Sequence, residues 1–391
     1  MDRDRPFLPY GRQTIEDDDI AAVAEALRGD FLTTGPTVEA FEAAFAEAVG
    51  AVDAVACSNG TAALHLALLA LGVGPGETCI APSITFLATA NCAAYVGADV
   101  VFADVDPDSG LMTPDTLAEA LERARGRRVR AVLPVHLRGE VCDLPALAAL
   151  AAEAGAVLVE DAPHALGSRM DFGRGGAEQV GDNRHGAMAT FSFHPVKTIA
   201  TGEGGMVTVA DPALAERLRR LRSHGMTRPP GADPWVYEMA EPGFNYRLPD
   251  INCALGLSQL AKLQRFSDRR RRLSALYGQA LAPLAPLVRP ASAMPWSDPA
   301  LHLFCVLIDF EAAGVPRGEV MARLARAGVG SQVHYIPVHT QPWWRAREPD
   351  LTLPGAEAWY RRCLSLPLFP GMADEDVLRV VEALADALQT G

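Results

Sequence analysis

Short β-branched runs alternate with amphipathic helical stretches through the first half of the chain, at a spacing of roughly 25 residues. No other feature limits the fold as strongly. Candidate strands are Ala54–Cys57, Thr78–Ala81, Val100–Val105, Arg130–Val135, Val157–Asp161, Ala189–His194 and Met206–Ala210. Helical patterns at Ala62–Leu71, Phe86–Val96, Pro114–Ala124 and Leu144–Glu153 lie between the first five. Buried strands separated by helices imply a mostly parallel sheet covered on both faces, hence an α/β class. The last two candidates flank Gly202, Gly204 and Gly205 and read as a hairpin or crossover at the edge of the pattern.

After Pro249 the texture changes. The pattern predicts a long helix through Leu255–Leu263 that ends at Arg269–Arg272, with that charge run as its solvated end. A proline-rich stretch from Leu281 to Pro299 reads as a connector. It leads to a strand at Leu303–Phe310, a helix at Arg317–Ala327, a strand at Gln332–Tyr335 and two closing helices. A chain of 391 residues, 49% of them hydrophobic, can bury a large core. The expected organisation is a large α/β domain over 12–255, a smaller α+β domain over 256–391 and an N-terminal arm over 1–11. The Gly-rich segment Phe172–His185 is expected to be an exposed loop or flap.

Charge and cysteine usage exclude several classes. The net charge is -13 with no basic stripe, which argues against nucleic acid or an anionic membrane surface as partner. The longest apolar run, Thr61–Gly74, contains His65 and is too short to span a bilayer; it reads as a buried helix. Met1-Asp-Arg-Asp-Arg has no apolar stretch behind it, so no secretory signal is expected. Seven scattered cysteines without a C-x-x-C fit a reducing cytoplasm better than a disulfide framework or a zinc site, and no metal is expected.

Only two of the 35 basic residues are lysines, Lys197 and Lys262. Arginine stands nearly everywhere that either cation would serve. A retained lysine can therefore mark a place where arginine fails, because a desolvated lysine loses its proton and forms imines. Lys262, beside Gln264 and Arg265, reads as solvated surface charge. Lys197 sits in the apolar stretch Phe191-Ser-Phe-His-Pro-Val-Lys-Thr-Ile, where an idle surface charge is a poor fit.

Three further features bear on chemistry. Ser58-Asn-Gly-Thr61 follows the first strand and opens a helix, where free backbone N–H groups favour an anion; a plain helix cap is the alternative. Asp161 ends the apolar strand that begins at Ala156, and strand C-termini in parallel sheets face the ligand crevice. It can pair with a protonated ring nitrogen, or simply cap the next helix. Ser192 and His194 share one strand face just before Lys197, and Ser192 can reach an anion. An anion site, a carboxylate and an imine-forming amine are the parts that pyridoxal 5′-phosphate (PLP) requires.

The ordered blocks S-N-G-T-A-A-L, V-E-D-A-P-H-A-L-G-S, F-S-F-H-P-V-K-T-I-A-T-G-E-G-G, R-S-H-G-M, G-F-N-Y-R-L-P-D-I-N-C-A-L-G-L-S-Q-L and Q-V-H-Y-I-P-V resemble the DegT-type sugar-nucleotide aminotransferases. These are fold type I PLP enzymes, with a mostly parallel seven-stranded sheet and a smaller C-terminal α+β domain. The resemblance runs from Pro9 to the last helix. It implies that Lys197 carries PLP and that Asp161 pairs with the pyridine nitrogen. His164, at a position often Gln in the family, would lie near the ring and O3′. Gly60, Thr61, Ala62 and Ser192 would hold the phosphate, and Phe86 would stack on the ring. Asn245 would reach the cofactor of a partner subunit, with Arg247 nearby, so a homodimer with shared active sites is implied. Tyr10, Thr33, Thr34, His334 and Tyr335 would line the sugar-nucleotide side.

Within the family, H-A-L-G-S, the lysine block and R-S-H-G-M look most like the pseudaminic acid branch. That branch makes UDP-4-amino-4,6-dideoxy-N-acetyl-β-L-altrosamine from the 4-keto precursor with L-glutamate as amino donor. Pro134-Val-His-Leu-Arg-Gly reads more like the general family. Other expectations are transamination of a perosamine-type or 3-keto sugar nucleotide, or a regulatory protein that binds PLP or a sugar nucleotide without turnover.

Overall fold

In the computed structural model the described residues are 6–173 and 176–389. Residues 1–5, on which the expectation about a leader rests and which make up part of the arm, lie outside them, as do residues 174 and 175 of the expected flap.

All seven candidate strands of the first half form one sheet. They are β1 (Asp53–Cys57), β2 (Glu77–Pro82), β3 (Asp99–Ala103), β4 (Arg128–Val132), β5 (Val157–Asp161), β6 (Met188–Ser192) and β7 (Gly205–Val209). Their order is β1-β7-β6-β5-β4-β2-β3. Only β7 runs against its neighbours, pairing antiparallel with both β1 and β6. The expected hairpin between the last two strands is thus real, and it returns the chain to the edge where β1 lies. The strands are nearly all apolar because helices cover both sheet faces. The helices are α1 (Asp17–Arg28), α2 (Pro36–Val49), α3 (Gly60–Ala70), α4 (Leu87–Tyr95), α5 (Pro114–Arg123), α6 (Leu144–Glu153) and α7 (Pro212–Arg222). The greasy run after Thr61 is the body of α3, and it is largely buried, as expected.

The second half differs from its expected layout in several places. The expected long helix is two: α8 (Asp250–Leu260) and α9 (Leu263–Leu281), with Ala261 and Lys262 between them. Lys262 is not solvated surface charge. It is buried, and its ammonium lies 2.6 Å from Asp19 and 2.9 Å from Asp18 on α1. A buried cation is tolerable only with such partners, and no local pattern reveals that α1 will supply them. The run Arg269–Arg272 is not a helix end either. It lies in mid-helix, with Arg270 buried and donating to the carbonyls of His302 and Leu368. Arg269 and Arg272 both pair with Asp374.

The Leu281–Pro299 connector contains a strand, β8 (Val288–Pro290), which joins β9 (Phe304–Ile308) and β10 (Cys363–Leu366) in a three-stranded antiparallel sheet. Gln332–Tyr335 forms no strand; among the described residues a single bridge from Gln332 to Ser365 is its only ladder contact. The sheet, α9, α10 (Arg317–Arg326) and α12 (Asp374–Ala387) enclose a second apolar cluster that includes Leu273, Val306 and Leu384. The segment between them that precedes β10 is α11 (Pro354–Arg362). Leu8 of the arm inserts into this second cluster and bridges to Val329. The expected flap is partly tied down: Glu178–Gln179 pairs with Arg169–Met170, and Phe172 packs 5.9 Å from Trp296.

Candidate active site

The C-terminal ends of β5 and β6 open on a cleft of about 1010 Å³. Asp161 ends β5 and Ser192 ends β6, and the two strands are parallel neighbours in register. Asn59 caps α3 by accepting from the Ala62 N–H at 2.8 Å, which sets the helix entry beside Ser192. A Cβ on Gly60 would stand 2.7 Å from the Ser192 Cβ. The missing side chain therefore leaves the first N–H groups of an 11-residue helix, with the positive end of its dipole, facing a serine hydroxyl. That is a cradle of the right chemistry for a phosphate.

Lys197 follows the turn after β6, with its backbone N–H held by the His194 carbonyl. Burial pushes the amine down to about 8, while the Asp161 carboxylate pulls it back up. No hydrogen bond or ion pair holds the amine among the described residues. Asp161 is buried, and burial raises its pKa; the Thr89 hydroxyl, Lys197 and His136 act against that rise. Thr89 donates directly to Asp161 and shares a 2.6 Å hydrogen bond with Thr85. A carboxylate that keeps one charged-form donor and faces a cation is suited to a protonated heterocycle. The amine, the acid and the anion cradle thus fit PLP.

His164 follows on the loop after β5. Its Nδ1 lies 3.3 Å from the Arg138 N–H and its Nε2 3.3 Å from the Tyr335 hydroxyl. Burial, aided by Lys197 and His334, holds its pKa well below the usual histidine range. His334 bonds Ser365 at 2.7 Å and is lowered to about 3, first by burial and then by Lys197. Tyr10 of the arm packs 5.5 Å from His334, and Phe86 stands 6.2 Å from Tyr335.

Eleven of the residues singled out from the sequence line this cleft: Tyr10, Gly60, Thr61, Ala62, Phe86, Asp161, His164, Ser192, Lys197, His334 and Tyr335. Thr33, Thr34, Asn245 and Arg247 do not line it within one chain. Thr33 and Thr34 are exposed on the turn that Asp250 ties to α2. Asn245 is exposed and bridges to Ser223. Three contributors were not singled out: Thr89, His302 and Arg138. His302 packs 4.4 Å from His164, and Arg138 is buried with φ of 68°. Each acts across a long sequence separation, where periodicity gives no signal. Among the described residues no cluster of ligands suits a metal, and no helix is long and apolar enough to cross a membrane.

Comparison with known proteins gives the same reading. The model of the DegT/DnrJ/EryC1/StrS aminotransferase family matches residues 13–385. Among solved structures, the Helicobacter pylori aminotransferase PseC, involved in the biosynthesis of pseudoaminic acid, is 28% identical. It superposes with a TM-score of 0.88 over 98% of this chain and 99% of its own. Spr1654 from Streptococcus pneumoniae, assigned as a sugar aminotransferase and solved in its PLP form, is 27% identical. Its TM-score is 0.87 over 98% of both chains. DesI, solved in the presence of its TDP-sugar product, is 33% identical with a TM-score of 0.87, over 99% of this chain and 94% of that one. A desolvated lysine facing a strand-end carboxylate, on a mostly parallel seven-stranded sheet and within this matched span, leads to one conclusion. The chain belongs to the DegT/DnrJ/EryC1/StrS aminotransferases, fold type I enzymes whose cofactor is PLP.

Proposed function

We propose that the chain transfers the amino group of L-glutamate to a 4-keto-6-deoxy sugar carried on a nucleotide. The substrate we favour is UDP-2-acetamido-2,6-dideoxy-β-L-arabino-hex-4-ulose, and the product is UDP-4-amino-4,6-dideoxy-N-acetyl-β-L-altrosamine. One observation carries the transfer itself: the Lys197 amine is poised at about 8 in the same cleft as a buried carboxylate and a glycine–serine anion cradle. The pseudaminic assignment rests on the H-A-L-G-S and lysine blocks and on the likeness to PseC.

Bound PLP supplies an electron sink for the carbon that carries the nitrogen. The chain's residues do the rest. Gly60, Thr61, Ala62 and Ser192 hold the phosphate through backbone N–H groups and a hydroxyl. Asp161, which accepts from Thr89, would pair with the protonated ring nitrogen. Phe86, on the cleft wall, would stack on the ring. Lys197 would tether the group, and its neutral amine would serve as the base that moves the proton at the substrate carbon. Tyr10, His334 and Tyr335 form the wall toward the sugar. Asn245, Arg247, Thr33 and Thr34 lie outside the single-chain cleft, and we assign them to the cleft of a second copy in a homodimer. Seven buried free cysteines suit a reducing cytoplasm.

The test is a panel of nucleotide keto sugars with L-glutamate, read by product amine and released 2-oxoglutarate. Amination of the UDP 4-keto-altrosamine precursor ahead of the others supports the assignment, and preference for another sugar overturns it. A thymidine-linked keto sugar is the second reading, favoured by the likeness to DesI with its TDP-sugar product.

A further inference from the structure

His164 presents a conflict with the contact that its family position implies. Both ring nitrogens are engaged inside the chain, at Arg138 and Tyr335. The Arg138 backbone can only donate, so Nδ1 must accept and carry no proton. A neutral ring then carries its proton on Nε2, which points at the Tyr335 hydroxyl. We infer that His164 is a positioning residue, locked as this tautomer, which turns the Tyr335 hydroxyl proton into the cleft to meet a carbonyl oxygen of the substrate. The inference deepens the keto-sugar reading and rests on it.

Four features fix the arrangement. Arg138 and Gly139 adopt left-handed backbone, with φ of 68° and 104°, in the turn that aims the Arg138 N–H at His164. A Cβ on Gly139 would lie 3.0 Å from the His164 carbonyl oxygen, so the turn is pressed against this residue. The Arg138 guanidinium is occupied by the carbonyls of Ser109 and Ser292, which keeps the turn from swinging away. His302 packs on the imidazole at 4.4 Å, and Tyr335 lies nearly parallel to it at 17°. Burial opposes a second proton on His164, and Lys197 and His334 act in the same direction. Lys197, His334, His302 and Tyr335 surround it, and the Asp161 carboxylate acts on Lys197 and Tyr335 beyond them.

A tyrosine whose oxygen already accepts from His164 has its own hydrogen to give. A ketone oxygen can only accept, whereas a hydroxyl at the same carbon can adopt either role. The arrangement therefore gives the ketone oxygen the donor it needs. With both nitrogens engaged inside the chain, neither would be left to hold O3′ of a bound cofactor.

The first measurement is the nitrogen-15 spectrum of the histidine rings, in cofactor-free protein and holoenzyme, with His164 identified by its loss in His164→Gln. A neutral Nε2–H ring from about pH 5.5 to about pH 8.5 is the expected result. A proton on Nδ1, or titration inside that range, overturns the inference whatever the sugar proves to be. The second is a mutant cycle on the keto-sugar reaction. Tyr335→Phe and His164→Met should each lower kcat/KM for the keto sugar by about tenfold, and the pair by little more than either alone. His164→Gln supplies an acceptor and a donor and should recover most of the His164→Met loss. Additive losses, or an equal loss in the reaction with glutamate alone, overturn the relay. If no keto sugar reacts, the proposed function fails, while the tautomer result still stands or falls by itself.

Discussion

The Asp161 carboxylate pulls the Lys197 amine up while burial pushes it down, and burial wins, leaving the amine at about 8. At pH 7 roughly one amine in ten is then neutral, against about one in 3,000 for an ordinary lysine. Removing the anion should lower the amine further. The rate at which cofactor-free protein takes up PLP needs the neutral amine, so in the native protein it should rise with pH through about 8. In Asp161→Asn that rise should shift to lower pH. An unchanged or upward shift would show that the two groups do not sense one another.

Lys197→Arg should abolish turnover, by at least about 10⁴-fold, because arginine neither forms the imine nor gives up its proton at working pH. The visible band of the bound cofactor should be lost with it. Turnover near the native rate in this variant would refute the assignment.

Thr89→Val removes the one hydroxyl donor to Asp161. Burial then acts with less opposition, and the carboxyl pKa should climb. The acid limb of the activity profile should move to higher pH by about one unit or more, the worth of a hydrogen bond to a charged group. An acid limb that stays in place would assign the protonated-ring role elsewhere.

Gly60→Ala places a Cβ 2.7 Å from that of Ser192. PLP affinity should fall by about tenfold or more, since one backbone N–H contact and the fit of the cradle go together. The dissociation constant, measured beside the melting temperature, separates loss of the cradle from loss of the fold.

Lys262→Met leaves Asp19 buried without its cation. The expected cost is about 3 kcal/mol in denaturant unfolding at pH 7. Its Asp19 partner titrates below the usual carboxylate range: burial raises its pKa, but Lys262 and the other hydrogen-bond donors more than offset this. The native advantage is therefore present above the unfolded carboxylate pKa and fades as pH falls through the depressed one. Native and variant stabilities should converge in acid, and a constant difference down to low pH would contradict the pairing.

The sheet was legible in the sequence because its information is local. Apolar runs of strand length, spaced by helical patterns, placed all seven strands, and the residues at their C-terminal ends followed. What escaped notice depends on contacts between distant segments. Lys262 looks polar in its own helix, and only α1 makes it a buried ion pair. Arg270 sits in a run of four arginines, and only the carbonyls of His302 and Leu368 explain its burial. Gln332–Tyr335 has a strand-like composition, yet its side chains are used at the cleft wall and its backbone makes one bridge. Of the proposed site, the parts on strand ends were found by chemistry and spacing. Thr89 and His302 were not, since nothing near them in the chain marks them.

The placement of Asp161 and Ser192 on adjacent parallel strands has an evolutionary corollary. Their separation is a property of the pleated scaffold, so the reactive end can be inherited intact. The opposite wall is assembled from the chain's extremities: Tyr10 from the amino-terminal arm, His334 and Tyr335 from the carboxy-terminal third. If these three side chains meet the sugar as proposed, substitutions at the chain's margins would alter its choice without moving Asp161 or Ser192.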